Sequence, residues 1–331
     1  MRVQTLLYPI AELHLEHTLV CGQAFRWRQD KEGWWSCLLP ITNAPAGGPR
    51  HRLVRLWQDR DQVFYETFPA KDGLAHIRDY FRLETDLRAL VSGFSARDPH
   101  ILDAVHSFPG LRVLRQDPEE CLFSFLCTPA APLYRIRGAI TALCRAYGDP
   151  APMGEVAGVR HHGFPPAHRL AEASLPQMEK FGLGFRAKNI RASARQVMEN
   201  GGAEWLLGLR ALPYADAKRA LMTLPGVGDK IADCVCLFSL DKDAAIPVDT
   251  HIRQIAQRHY IARPRDLEPI TKTFTAKAYA QIGDLLRERF GSMAGWAQQY
   301  LFYYDLYEKG AWAAYTALYK YDAEPIRPLD K

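Results

Sequence analysis

No stretch of this 331-residue sequence approaches the ~20 consecutive apolar residues that a membrane-spanning helix requires. Nor does its start, MRVQTLLYPIAELHLEH, show the basic, apolar and cleavage regions of a signal peptide in order. The seven cysteines, at 21, 37, 121, 127, 144, 234 and 236, form no C-x-x-C pair and no four-cysteine cluster, which excludes the usual zinc and iron–sulfur spacings. Several lie inside apolar runs such as ECLFSFLC and DCVCLFSL, where a thiol behaves as a small hydrophobe, and a reducing setting follows. There is no internal repeat and no low-complexity tract. A block of positive charge is also missing, so the net charge of +5 permits a polyanionic partner without demanding one. The expected protein is therefore intracellular, soluble and monomeric. Its compartment would be the nucleus, or the nucleoid and cytoplasm, according to the host.

What is present reads as an ordinary globular composition, long enough for two or three domains. Over the first seventy residues FRWRQ, GWWSCLLP, HRLVRLWQ and DQVFYETF alternate apolar and polar positions between Gly, Pro, Asn and Asp clusters. That pattern predicts an antiparallel sheet, with residues 41–50 as a flexible turn. From about residue 72 the period becomes helical, and LAHIRDYFRLETDLRALVSGF predicts one or two helices. DPEECLFSFLC carries a strong start signal: Asp117 as N-cap, Pro118 at the first helical position, and Glu120 three residues past the cap. RIRGAITALCRAYG should stop at Gly148, and the Pro-, Gly- and His-rich 149–167 reads as a loop. Further helices are expected in SLPQMEKFGLG, FRAKNIRASARQVMENGG, YADAKRALMTLPGVG, IADCVCLFSL, THIRQIAQRHY, 271–290 and GWAQQYLFYYDLYEKG. The aromatic, then Pro-rich tail predicts nothing definite. The expected class is α+β: an antiparallel β-rich domain over 1–98, packed on a mostly helical region over 99–310, with a tail over 311–331.

Between two of these helices, within 221–240, lies LPGVGDK. Gly226 and Gly228 allow backbone conformations that a side chain would forbid, and they let an anion approach the main chain. N–H groups at the start of the following helix make such a turn a phosphate clip that reads no sequence. The full G-x-x-x-x-G-K-[ST] pattern is missing, so this is no nucleotide P-loop. Two readings of Lys230 stand. It is one more phosphate contact, or it is a nucleophile, because the positive field at a helix N-terminus favours the neutral amine. IPVDTH places Asp249 nineteen positions later, and one helix and a loop suffice to bring it back beside Lys230. An amine and a carboxylate suit attack on the sugar carbon of a nucleotide, with the acid steadying positive charge there. Asp249 is equally a good N-cap for THIRQIAQRHY, and the two roles are compatible.

LPGVGDKIADCVCLFSLDKDAAIPVDTHIRQIAQRHY resembles the catalytic core of the helix–hairpin–helix GPD (HhH-GPD) superfamily of DNA glycosylases. CGQAFRWR, LRQDPEECLFSFLC, HGFP, GLGFRAKNI and GWAQQYLF extend the likeness, over roughly residues 10–307, to the eukaryotic-type 8-oxoguanine DNA glycosylases. The resemblance implies base-excision repair: removal of 8-oxoguanine from duplex DNA, preferably opposite cytosine, with strand cleavage by β-elimination and no cofactor. Lys230 would form the Schiff base and Asp249 would assist departure of the base. The carbonyl of Gly22 would accept the N7 hydrogen that 8-oxoguanine has and guanine lacks. Gln298 would read the Watson–Crick edge, and Cys234 and Phe302 would sandwich the extruded base. Lys230 and Cys234 are four apart on their helix, as are Gln298 and Phe302, so each pair shares a face. Gly226, Val227, Gly228 and His251 would hold phosphates, Arg135 and Arg186 would contact the opposite base, and Phe185 would be the wedge. Carbonyls of Met222, Leu224 and Val227 would be the ligands of any hairpin cation. Taken singly, Cys234 and Phe302 would more often be core, Gln298 a packing amide, Gly22 a turn residue and His251 a helix-start residue. Two other functions stay open: a glycosylase of this fold for another damaged base, and a non-catalytic DNA-binding protein.

The sequence departs from the family at three places, one of them Phe185, which stands where the family has a tyrosine wedge and so keeps the ring and loses the hydroxyl. Where asparagines usually follow the CLFSF helix, this chain has Ala130, Ala131 and Pro132, which offer no side-chain amide to cytosine. Asp229 replaces a small polar residue, and is expected to cap the second helix of the hairpin at the cost of a negative charge near phosphate.

Overall fold

The computed structural model describes residues 2–42, 48–261 and 274–320. Residues 43–47 of the 41–50 turn, the first residues of the 271–290 stretch and the end of the 311–331 tail lie outside them.

Five antiparallel strands form the N-terminal sheet: β1 (Gln4–Leu7), β2 (Arg28–Gln29), β3 (Trp35–Pro40), β4 (His51–Asp59) and β5 (Gln62–Phe68), in the order β1-β5-β4-β3-β2. β3 and β4 pair Trp35 with Leu56 and Cys37 with Val54, and these four side chains join the main core. The expected strand in FRWRQ shrinks to Arg28–Gln29, because Phe25 and Trp27 are buried before the pairing begins. β1 was not foreseen: only Leu6 of its four residues points inward, so no alternation marks it.

Residues 149–167 are not a loop. β6 (Pro150–Val156) and β7 (Val159–His162) form a hairpin. Its two connecting residues, Ala157 and Gly158, have φ of +52° and +73°, the mirror-image turn that suits strand twist. The reason lies across the sheet. Leu38 and Leu53 face away from the main core, and Ala151, Met153 and Val156 cover them in a small second cluster. β3 is thus apolar on both faces, which explains the unbroken run SCLLP.

The body is helical. Asp117 accepts hydrogen bonds from the N–H groups of Glu119 and Glu120 and starts the Pro118–Leu126 helix as expected. Glu120 does not reach back to the cap; its carboxylate takes both arms of Arg26 and ties this central helix to the sheet. Every residue of that helix except Glu119 is buried, and it packs on the Asp229–Ser239 helix. The Ala294–Glu308 helix buries eleven of its fifteen residues, so it runs through the body rather than over it. After it, a short helix (Trp312–Ala317) and Lys320 return to the N-terminal domain, where Lys320 bridges to Gln29.

Candidate active site

The hairpin joins the Tyr214–Leu221 and Asp229–Ser239 helices. Gly226 has φ +81°, and a Cβ there would meet the Asn189 side chain at 2.7 Å. Only glycine fits. Gly228 differs from expectation: its φ is −99°, in the ordinary extended range, and nothing lies within 4 Å of a Cβ there. What its missing side chain provides is an open surface. Val227 is buried and its N–H goes to the Leu224 carbonyl (3.1 Å), so the exposed clip consists of Gly226, Gly228 and the first turn of the next helix. The same bond occupies one lone pair of a carbonyl named above for a cation. No group of three or more His, Cys, Asp or Glu side chains able to hold a metal occurs among the described residues.

Asp229 does not cap the second helix. Gly228 holds the cap position, and the Asp229 carboxylate turns to Lys218 (3.0 Å). Lys230 occupies the first turn, half-buried, with Nζ 5.3 Å from the centre of the Phe125 ring. Among the described residues it makes no hydrogen bond or ion pair. Asp249 is the N-cap of the Thr250–Ile255 helix, its Oδ1 accepting from Ile252 N at 2.9 Å. Cys234, one turn along from Lys230, is buried, its thiol pushed up to about 12 by burial, with Lys230 drawing it down and Asp233 and Asp249 pushing it up. One sulfur therefore senses both the amine and the acid. Cys234 is a neutral apolar wall at neutral pH.

Beneath this pair is a buried carboxylate that the sequence did not single out. Asp233, 1% exposed, receives the Tyr214 hydroxyl (2.5 Å), the Tyr279 hydroxyl (2.6 Å) and Lys218 Nζ (2.9 Å). The Tyr279 hydroxyl also takes the N–H of Val248, the residue before Asp249 (3.2 Å). Asp233 thus links the helix of Lys230 to the loop of Asp249. Burial pushes its carboxyl up while Lys218 and the two tyrosines draw it down. Burial opposes the Lys218 charge too, yet Asp233 and Asp229 hold that ammonium above its ordinary value. With three donors converging on Asp233, the ionised pair is the form consistent with the geometry.

A second cluster gathers around Gly22. Its φ is +83°, and a Cβ there would meet the Tyr315 hydroxyl at 2.6 Å and the Phe302 ring at 3.3 Å. Phe302 lies edge-on to His251, with centroids 5.4 Å apart. His251 Nδ1 is held by Asp305 at 2.5 Å, and Arg258 and Lys309 complete a cage around that carboxylate. Asp305 is 1% exposed; burial works against its charge, but the hydrogen bonds from Lys309, His251 and Arg258 hold its carboxyl below the ordinary value. Gln298 is 4% exposed, and its Oε1 is a buried acceptor with no partner among the described residues. An unused acceptor in such a place marks a site for a donor from outside.

A third group lies at the Ala130 loop. Phe185 is 62% exposed, an aromatic ring in open solvent beside Arg186. Arg186 itself is 8% exposed and donates to the carbonyls of Gly182, Leu183 and Pro129, so its guanidinium braces the turn and the loop. Arg135 is exposed and lies against Tyr134. Ala130 has φ +53°, a left-handed conformation in which asparagine is at ease and alanine is not.

Asp233 and Asp305 carried no signal that sequence reading could use. Each is a single acid inside a helix, and apart from Lys309, four residues from Asp305, its partners come from elements 15 to 54 residues away.

Comparison with known proteins shows the family and the fold. Residues 5–122 match the 8-oxoguanine DNA glycosylase N-terminal domain, and 131–281 match the HhH-GPD superfamily of base excision DNA repair proteins. The chain is 36% identical to the N-glycosylase/DNA lyase OGG1 of Arabidopsis thaliana, over 97% of this chain and 83% of that protein. It is 31% identical to the N-glycosylase/DNA lyase of Saccharomyces cerevisiae, over 88% and 83%. A solved structure of the Clostridium acetobutylicum 8-oxoguanine glycosylase/lyase, with double-stranded DNA carrying cytosine opposite 8-oxoguanine, superposes with a TM-score of 0.76 at 28% identity, covering 90% of this chain and 93% of that one. The Archaeoglobus fulgidus 3-methyladenine DNA glycosylase shares the fold alone (TM-score 0.69, 19% identity, 93% and 99% covered). The two domain matches and the likeness to these relatives over most of the chain show it: the chain belongs to the 8-oxoguanine DNA glycosylase family.

Proposed function

We propose that this chain, a DNA N-glycosylase/lyase of base-excision repair, removes 8-oxoguanine from duplex DNA through a Schiff base on Lys230. The observation that carries the mechanism is the state of that residue. It is a half-buried amine without an ion pair among the described residues, at the head of a helix, over the Phe125 ring.

Exposed Gly226 and Gly228, with the first turn behind them, grip a phosphate, and His251, fixed by Asp305, grips another. Phe185 enters the stack as the base leaves it. The extruded base lies between Cys234 and Phe302. The free Gln298 acceptor takes the N–H donors of its Watson–Crick edge, and the Gly22 carbonyl takes N7–H. Lys230, having given up its proton to solvent, attacks C1′. The C–N bond to lysine forms as the bond to the base breaks, and the base leaves with the electron pair and gains a proton. Asp249 steadies the positive charge on the sugar. Opening of the sugar ring yields the imine, and loss of a C2′ proton expels the 3′ phosphate. No step calls for a metal. A cation at the carbonyls of Met222, Leu224 and Val227 would serve phosphate binding alone.

Preference for cytosine rests on Arg135, with Arg186 bracing the loop, because Ala130, Ala131 and Pro132 bring no amide to the orphaned base. It is therefore expected to be present but weak. Single-turnover release of 8-oxoguanine opposite C, A, G and T tests both parts. Release fastest opposite C supports the reading; no release opposite any base overturns it.

A further inference from the structure

We infer that Tyr315, on the short helix after residue 310, is a positioning residue for lesion discrimination. It backs the Gly22 turn so that the Gly22 carbonyl cannot retreat from a guanine pressed against it. The inference rests on the reading of Gly22 given above.

Discrimination at Gly22 is a matter of one hydrogen. 8-Oxoguanine offers N7–H to a carbonyl, whereas guanine offers a lone pair. A hydrogen-bonding site rejects the wrong partner strongly only when the mismatched groups are left facing each other. If the carbonyl can swing away by a fraction of an ångström, the repulsion vanishes and guanine is tolerated. The turn must therefore be held from behind as well as from its ends.

The ends are held by side chains distant in sequence. Gln299 Nε2 donates to the Cys21 carbonyl (2.6 Å). Buried Gln23 donates to the carbonyls of Thr18 and Arg112 and accepts from Leu114 N. Tyr319, fully buried, donates to the Ala24 carbonyl (2.9 Å), while its own carbonyl takes Gln29 N–H (2.9 Å). Arg137 lies 3.8 Å from the centre of the Tyr319 ring and donates to the carbonyls of Phe25 and Trp27. On the side where a Gly22 side chain would begin, two groups crowd in among the described residues. The Phe302 ring is one, and it must receive the base. The Tyr315 hydroxyl is the other: it lies where a Gly22 side chain would begin, 2.6 Å from the Cβ position. Trp312, on the same helix, is pinned through its N–H to the Tyr303 hydroxyl (2.9 Å), so the helix cannot easily lift. Residues 312–320 are therefore built into the reader.

The test uses Tyr315→Phe and Tyr315→Ala in the full chain, measuring kcat/KM on duplexes with 8-oxoguanine or guanine opposite C and, separately, strand cleavage at a preformed abasic site. No base presses on Gly22 in the abasic substrate. The expected result is a loss of 8-oxoguanine over guanine selectivity of roughly 10-fold or more in Tyr315→Ala, and a smaller loss in Tyr315→Phe. Abasic-site cleavage should stay within about 2-fold in both. Selectivity preserved in both variants overturns the inference alone. Equal losses on all substrates also overturn it, by showing a merely structural role. A native enzyme that does not prefer 8-oxoguanine overturns the reading of Gly22, and this inference with it.

Discussion

The hairpin and the Gly22 turn are both short glycine turns of the proposed site, yet they are built in opposite ways. The hairpin is local. Its lysine, its turn glycine and its capping acid fall between Gly226 and Asp249, held by neighbouring helices and one buried carboxylate. The Gly22 turn is assembled from afar: its clamps, Gln299 and Tyr319, are separated from Cys21 and Ala24 by 278 and 295 residues. A reactive group needs an activating environment, which one helix start and one acid can supply. A reading group needs rigidity, which requires packing from several directions.

Substitutions can break this comparison where it is strongest. Gly22→Ala forces a side chain into a left-handed backbone and into the Tyr315 hydroxyl. Excision of 8-oxoguanine should fall about 100-fold or more, with abasic-site cleavage largely spared, in a paired gel assay. Equal loss on both substrates would mean that the two turns are not separable. On the hairpin side, Asp233→Asn leaves Lys218 with Asp229 alone and weakens the link to Val248. It should cost about 3 kcal/mol in urea unfolding, and slow excision and abasic-site cleavage together. Loss of excision alone would place Asp233 with the reader instead.

How far each turn was legible follows from the same contrast. LPGVGDK and IPVDTH announce themselves because the chemistry, the spacing and the cap sit in one continuous segment. The Asp117 cap was legible for the same reason, but the destination of Glu120 was not, since Arg26 lies 94 residues away. The β6–β7 hairpin was hidden because its turn uses Ala157 at positive φ, where glycine or asparagine would have been the signal. Asp229 was misread as a cap because nothing in the sequence shows that Lys218 comes within 3.0 Å of it. The tail resisted reading because the partners of its aromatic residues, among them Ala24 and Arg137, lie far away in the sequence.

Two smaller effects sharpen the picture at the margins of these turns. Burial raises the Glu119 carboxyl to about 7 from 4.5. Its folded value is raised, so stability is greatest below the unfolded value and falls as pH climbs through about 7. Glu119→Gln should therefore raise Tm at pH 8, by up to ~3 kcal/mol of stability, and leave it unchanged near pH 4. A Tm gain independent of pH would contradict the burial argument. Ala130→Asn should relieve the left-handed backbone by about 0.5–1 kcal/mol, and raise the preference for cytosine severalfold by restoring an amide. Loss of that preference, measured as excision opposite C against A, would show that the Ala130 loop does not face the orphaned base.

The central claim concerns a single nitrogen, and borohydride reduction during turnover tests it directly. With an 8-oxoguanine duplex the native chain should be trapped as a covalent protein–DNA adduct, with the modification mapping to Lys230 by mass spectrometry, and Lys230→Gln should give none. An adduct formed by Lys230→Gln, or no adduct with a native chain that still releases the base, would contradict the mechanism.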